Sequence, residues 1–363
     1  MEVFLLKNNN IKEPLAAFFA KVPELDLSYI EILTNPTGIF QHAKFNIPDY
    51  NHGYCLDDNC RALLLLLKGQ ESVDPAKATK LISTYLAYIY YSQNSDGTFR
   101  NFMSYDLNFL ESIGSDDSMG RTLWILGYLL SRPESAQFHN ISKEIFDRTI
   151  PHLKYCKSVR AISFYILGLL YFLEKYPENK TAIHQLETFC DFLIHEYKVC
   201  SIENWHWFEE VISYDNAIIP LSLLKASRYF KNAGLQKIGL ESADFLDKIL
   251  YRNGHFAPIG NQNWYKKHGE ISAYGQQPVE VCSSIYLYQE LRQHNTQINC
   301  KERIRDSFLW FLGKNDLNIS LFDHENIACY DGLEQYGINK NQGAESNIVF
   351  WLSYIEVKKV LSV

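Results

Sequence analysis

Asp57-Asp58-Asn59-Cys60-Arg61-Ala62 opens directly into five consecutive leucines, residues 63–67, so a doubled acid sits at the start of a segment hydrophobic nearly all round. Five more segments share that form. Asp116-Asp117-Ser118-Met119-Gly120-Arg121 leads into 122–130, Ser158-Val159-Arg160 into 161–173, and Tyr214-Asp215-Asn216-Ala217 into 218–230. Gln277-Pro278-Val279-Glu280 leads into 281–291, and Gly343-Ala344-Glu345-Ser346 into 347–357. Successive starts lie about 40 to 65 residues apart, the beat of repeated helix pairs. Between them run segments 75–93, 143–155, 180–197, 235–251 and 301–313, apolar at three- and four-residue steps and charged on the other face. All-round apolar helices belong inside and amphipathic ones outside. The pattern therefore predicts an all-α fold, an (α/α)6 toroid of six inner and six outer helices. Residues 1–363 form one domain in this reading, with 1–36 as lead-in and 13–33 as the remaining outer helix.

Two turns, Asp96-Gly97-Thr98-Phe99 and Asn253-Gly254-His255-Phe256, follow outer segments and suit a glycine in the left-handed region that stops a helix. Strand signals are short, enough for small hairpins. If every inner helix starts on one side, the acidic openings converge on one mouth. One Asp or Ser at a helix start is ordinary capping; doubled Asp at two starts, with Glu280 and Glu345 inside two more, exceeds that need. For Arg61 and Arg121 the simplest partners are the acids one turn earlier, Asp57 and Asp117.

The 363 residues are 47% hydrophobic, enough for a large core, and 24 Tyr against 6 Trp suit both helix interfaces and a wet cleft with flat apolar walls. A net charge of −7 without a basic run argues against nucleic acid. The absence of any long apolar stretch argues against a membrane span. Phe4-Leu5-Leu6 is too short for a signal-peptide core, which makes the cytoplasm the expected compartment. The eight cysteines form no C-x-x-C pair and read as small buried hydrophobes in a reducing compartment. No metal site or cofactor is implied, although the Asp pairs leave room for a divalent cation. The sequence lacks a nucleophile elbow, a phosphate loop, an H-E-x-x-H pair and the βα alternation of a nucleotide-sugar domain.

Chemistry is expected at four places. Two carboxylates at a dry mouth repel, which holds one protonated, and glycoside hydrolysis needs an acid opposite a base or nucleophile. Asp58 and Asp117 are the candidates, with Glu210 as a third and Asp57 and Asp116 as substrate-binding neighbours. The run Trp205-His206-Trp207-Phe208-Glu209-Glu210, close to Tyr214 and Asp215, mixes flat rings with polar groups as a sugar requires, although it also fits a buried aromatic knot. Residues 254–280, amide-rich and aromatic, read as a loop folding over a polar ligand, with His255 as an acid–base candidate and Glu280 at its end. Asp331 and Glu345 are the carboxylates of the last stretch.

The runs Thr37-Gly38-Ile39-Phe40-Gln41-His42-Ala43, Pro48-Asp49 and His52-Gly53-Tyr54-Cys55-Leu56-Asp57-Asp58-Asn59 resemble a bacterial six-hairpin glycosidase-like family. So do His206-Trp207-Phe208-Glu209, Tyr214-Asp215-Asn216-Ala217, Gln277-Pro278-Val279-Glu280 and residues 341–346. The resemblance spans residue 37 to the end. It implies the (α/α)6 fold and carbohydrate metabolism, in proteins that stand alone or are fused behind glycosyltransferase domains. Tyr50 departs from an expected Arg and Cys60 from an expected Ala. The doubled Asp is also similar to the catalytic pair of (α/α)6 endo-mannanases.

Three functions follow as expectations. The first is a glycoside hydrolase acting on small oligosaccharides, mannosides among them, with Trp205, Trp207 and Tyr214 as sugar platform. The second is a non-catalytic glycan-binding module that works with a partner glycosyltransferase. The third is a sugar isomerase or epimerase, with His206 or His255 moving protons.

Overall fold

The computed structural model describes residues 14–361, so Phe4-Leu5-Leu6 and Glu13 lie outside the described residues. Six helices form an inner ring: α3 (Leu56–Gly69), α5 (Asp116–Leu130), α7 (Val159–Lys175), α9 (Ile218–Phe230), α11 (Val279–Leu291) and α13 (Ala344–Leu361). Each packs on the next, and α13 returns to α3 to close the ring. Outside stand α4 (Pro75–Ser92), α6 (His139–Thr149), α8 (Lys180–Cys200), α10 (Ala233–Leu250) and α12 (Cys300–Leu309), each packed on the inner helix that precedes it.

The expected outer helix over 13–33 is instead two short pieces, α1 (Leu15–Lys21) and α2 (Ser28–Ile32). Pro23 explains the break, because the residue before a proline is pushed out of helical geometry and Val22 sits at φ −124°, ψ 74°. The pieces still close the ring. Phe18 packs edge-on against Phe322 and Phe350, with centroids at 5.1 and 6.1 Å, and the Tyr354 hydroxyl donates to the Val22 carbonyl at 2.9 Å.

Caps place the helix starts. The side chains of Asp74, Asn179, Asn232 and Asn299 accept backbone N–H groups at the starts of α4, α8, α10 and α12. On the inner ring Cys55 caps α3, Ser115 caps α5 and Ser158 caps α7. The doubled aspartates of α3 and α5 are therefore not the capping residues. Gly97 (φ 99°) and Gly254 (φ 78°) do adopt left-handed backbone, but within hairpin turns after α4 and α10 rather than as helix stops. Strands among the described residues form six two-stranded antiparallel sheets, all in the loops. Tyr54–Cys55 pairs with Phe102–Met103, and Val211–Ile212 with Tyr265–Lys266, tying the long loops together.

The closest helix contact is α5 against α7, where glycines face backbone. A Cβ on Gly168 would lie 2.6 Å from the Leu123 carbonyl oxygen, and one on Gly127 would collide with the Gly168 carbonyl. Alanine favours a helix by about 1 kcal/mol over glycine, whereas overpacking typically costs about 1–3 kcal/mol. Gly127→Ala is expected to lower the urea midpoint despite its propensity gain. An unchanged or higher midpoint would show that the two helices can part without loss.

Candidate active site

All six inner helices begin at one mouth of the ring, and a cavity of about 710 Å³ opens there. Its floor is built by two buried arginines. Arg61 donates to Asp58 at 3.0 Å and reaches Glu345 of α13 at 2.7 Å. Arg121 donates through Nε to Asp57 at 2.9 Å, places its terminal nitrogens 3.3 Å from Asp215, and lies 4.4 Å above the Phe164 ring. The expected pairs Asp57–Arg61 and Asp117–Arg121 are thus corrected. Arg121 takes both its carboxylates from outside its own helix, whereas Arg61 bridges Asp58 of its own helix and Glu345 of α13; each guanidinium thus binds two carboxylates, and the more buried of each pair is the less able to find water instead.

Four carboxylates share these two guanidiniums, so the floor carries surplus negative charge. Asp58 responds to it. Burial, only partly offset by Arg61 and reinforced by Glu345, pushes its carboxyl up to about 6. Its second oxygen accepts from the Cys55 thiol at 3.0 Å. Asp215 is also raised, chiefly by burial. Below it Glu280 accepts from the Asp215 backbone N–H and, at 3.1 Å, from the Asn216 amide; burial and then Asp215 push it up to about 8. Asp215, at φ 50°, and Glu280 are both about 2% exposed and lie beneath the floor, supporting it rather than facing the cavity.

Asp117 stands apart from this network. It accepts from Ser158 Oγ at 2.9 Å and from the Tyr214 hydroxyl at 2.6 Å, and makes no salt bridge among the described residues. Tyr214 in turn lies 6.0 Å from Trp264 and carries the Arg160 guanidinium 4.3 Å above its ring; burial and Asp117 push its phenol up to about 12. Asp57, Asp58, Asp117, Tyr214, Asp331 and Glu345 all line the cavity. Asp331 does so while tying down the start of α13, accepting from Gly343 N at 2.7 Å and Ser346 Oγ at 2.9 Å, and burial raises its carboxyl.

The remaining expected residues lie elsewhere. Asp116 points to solvent beside Cys156. Trp205 is buried edge-on against Phe245 and Tyr265, its indole N–H donating to Glu209 O at 2.9 Å, and Trp207 is fully buried against Phe208. His206 packs on Phe245 beside the Tyr197 hydroxyl. The run is the buried aromatic knot, because its rings find each other and leave no face for a sugar. Glu210 is 74% exposed and ion-paired to Lys267 at 3.0 Å, which draws its carboxyl down, so it is removed from the catalytic set. His255 pairs with Asp316 at 3.1 Å, outside the cavity.

Sequence reasoning passed over His42, Trp264 and Gln276, which line the cavity, and the floor arginines. Burial, then His52 packed edge-on at 4.7 Å, lowers His42 from the usual histidine value and so favours its neutral form. Trp264 belongs to the loop already expected to cover a ligand and supplies, with Tyr214 and Phe102, the aromatic wall assigned to the wrong tryptophans. Tyr50 stacks on Tyr105 at 4.6 Å with rings 2° apart, so the departure from Arg adds a ring to the rim. Cys60 is buried beside Thr122 Oγ1 at 3.3 Å. All eight cysteines are buried and free. Among the described residues no cluster of three or more His, Cys, Asp or Glu is placed to hold a metal ion, and no helix is long and apolar enough to cross a membrane.

No protein-family model and no curated protein matches this sequence. Solved structures do match its shape. A cellobiose 2-epimerase from Bacillus thermoamylovorans superposes with a TM-score of 0.72 at 8% identity, covering 96% of this chain and 99% of that one. The fold is an (α/α)6 toroid. A D-mannose isomerase gives 0.67 at 12% identity, covering 97% and 99% of the two chains. An α-1,6-mannanase from a Salegentibacter species gives 0.61 at 14%, covering 92% and 96%; it is an inactive variant with two adjacent aspartates replaced, solved with α-1,6-mannotetrose. At such identities the likeness is one of fold.

Proposed function

We propose that this protein cleaves small oligosaccharides, with Asp58 as proton donor and Asp117 as the base or nucleophile. One observation carries the reading: a single cavity holds a buried carboxyl raised to about 6 and a second carboxylate held by two hydroxyls, with no ion pair among the described residues. Carboxyl groups kept in such different surroundings are what acid and base roles require. Arg61 serves both Asp58 and Glu345, so it keeps a partner when Asp58 carries a proton. Asp58 would give that proton to the glycosidic oxygen, while Asp117 acts on the water or on the anomeric carbon. Tyr214 and Trp264 offer ring faces, and Gln276 and Gln277 offer amides for hydroxyls. The mannanase of the same fold that loses activity with two adjacent aspartates gives further support. In this chain Asp57-Asp58 is an adjacent pair of which both members line the cavity.

A proton donor must be protonated to work. Cleavage is therefore expected to fall as pH rises through about 6, the value to which burial lifts Asp58. A rate flat from about pH 5 to pH 8, across which a donor of that pKa would deprotonate, would remove Asp58 from this role.

His42 favours a second reading, as a sugar isomerase or epimerase, because it places an imidazole, its neutral form favoured by burial, on the same cavity. The histidines first assigned to that chemistry, His206 and His255, are outside it. Chromatography of manno-, gluco- and galacto-oligosaccharides after incubation separates the readings. Shorter oligosaccharides support hydrolysis. Uncleaved chains with an altered reducing end would move the assignment to His42. Binding without any change would leave a glycan-holding module, the kind of protein that serves a glycosyltransferase.

A further inference from the structure

A second cavity, of about 380 Å³, opens at the opposite mouth, where the inner helices end. Its wall comes from five of them and carries Lys68, Lys225 and Arg228, with the rings of Tyr128, Tyr171 and Tyr286. Trp124 and Tyr286, edge-on at 6.2 Å, line both this cavity and the small void beneath Arg61 and Arg121, so they separate the two mouths.

Cations outnumber anions here. Lys68 bonds Glu356 at 2.6 Å, and that carboxylate also takes Gln289 at 2.8 Å. Glu290 is oversubscribed: Arg228 lies at 2.9 Å, His294 at 3.2 Å and Lys225 only at 3.4 Å. Two carboxylates thus face three permanent cations. Lys68 also rests over Tyr286 at 4.8 Å and Tyr128 at 5.4 Å, and Glu356 is the one carboxylate it bonds among the described residues. Basic side chains at helix carboxyl ends partly answer the helix dipoles. That role explains a lysine at a helix end; it does not explain a walled polar cavity with aromatic faces and the amides of Gln289 and Gln293.

We propose that this cavity is a binding site for a small polyhydroxylated anion, of the sugar-phosphate or sugar-acid class. The anionic group would lie among Lys225, Arg228 and Lys68, where charge-assisted bonds are strongest. The ring would lie on the tyrosine and Trp124 faces, with its hydroxyls toward Gln289 and Gln293. A volume of 380 Å³ falls within the range of small-molecule sites. The proposal does not depend on the reaction at the other mouth.

The test is calorimetric titration of the full chain with mannose 6-phosphate, glucuronate, inorganic phosphate and, as neutral control, mannose. At least one organic anion should bind more tightly than mannose, and comparing phosphate ester with carboxylate tells which head group the site takes. Lys225→Gln and Arg228→Gln should each weaken it about tenfold, the loss of one charge-assisted bond, with melting temperatures confirming that both variants fold. Anions binding no better than mannose, or binding both variants as tightly as the unsubstituted chain, would overturn the proposal. So would loss of anion binding in Asp117→Asn, which would put the anion at the other mouth.

Discussion

Arg121→Met is expected to lower stability by about 3–5 kcal/mol, the usual cost of removing one member of a buried ion pair. The substitution keeps most of the side-chain volume but leaves Asp57 and Asp215 without their shared guanidinium. Asp215 is about 2% exposed and already raised by burial, so it cannot recover the loss by hydration. The pH dependence has a definite sign. Without Arg121 the folded-state pKa of Asp215 rises further, and a carboxyl raised on folding contributes stability at low pH that is lost as pH increases. The deficit should therefore be largest near neutrality and shrink toward about pH 4, near the ordinary carboxylate range. Urea unfolding of both proteins at several pH values measures it. A deficit independent of pH would mean that Arg121 matters through packing on Phe164 rather than through charge. As a control, Lys248→Gln, on an exposed i,i+4 pair with Asp244, should leave the midpoint unchanged.

Asp117→Asn should reduce the turnover of any cleaved oligosaccharide by a factor of about 10²–10⁴, the range typical for loss of a positioned acid–base group. Stability should hardly change, because the amide oxygen still accepts from a hydroxyl of Ser158 or Tyr214 and no ion pair is broken. The loss should appear in kcat more than in KM, since the group acts in the transition state and the aromatic wall remains. Glu210→Gln is the matched negative, because that carboxylate lies in solvent on Lys267. A large effect from Glu210→Gln and none from Asp117→Asn would reverse the assignment.

The toroid was legible because its inner helices are apolar on nearly every face, a property visible within each segment. The lead-in was misread for a local reason that was also visible, Pro23 in the middle of an apparent helix. The site was legible only in part. Excess acid at the starts of α3 and α5 did mark the mouth, and the caps belong to Cys55 and Ser115. Partners were hidden, because Arg121 finds Asp57 and Asp215 at separations of 64 and 94 residues, which no local pattern encodes. The Trp205–Trp207 run failed for another reason: the same rings can stack on a sugar or on one another, and only the position of Phe245 and Tyr265 decides. Trp264 had a weaker signal, a large ring in an amide-rich loop, and proved to be the one facing the cavity.

If the protein cleaves oligosaccharides as proposed, the sugar sits in the carboxylate cavity. A crystal structure of Asp117→Asn grown with a manno-oligosaccharide tests it most directly, since that variant should bind without turning over. The expected density is a sugar ring on Tyr214 and Trp264 with a glycosidic oxygen toward Asp58. Sugar bound instead at the outer surface by His206 and Glu210, or an empty cavity at saturating ligand, would contradict it.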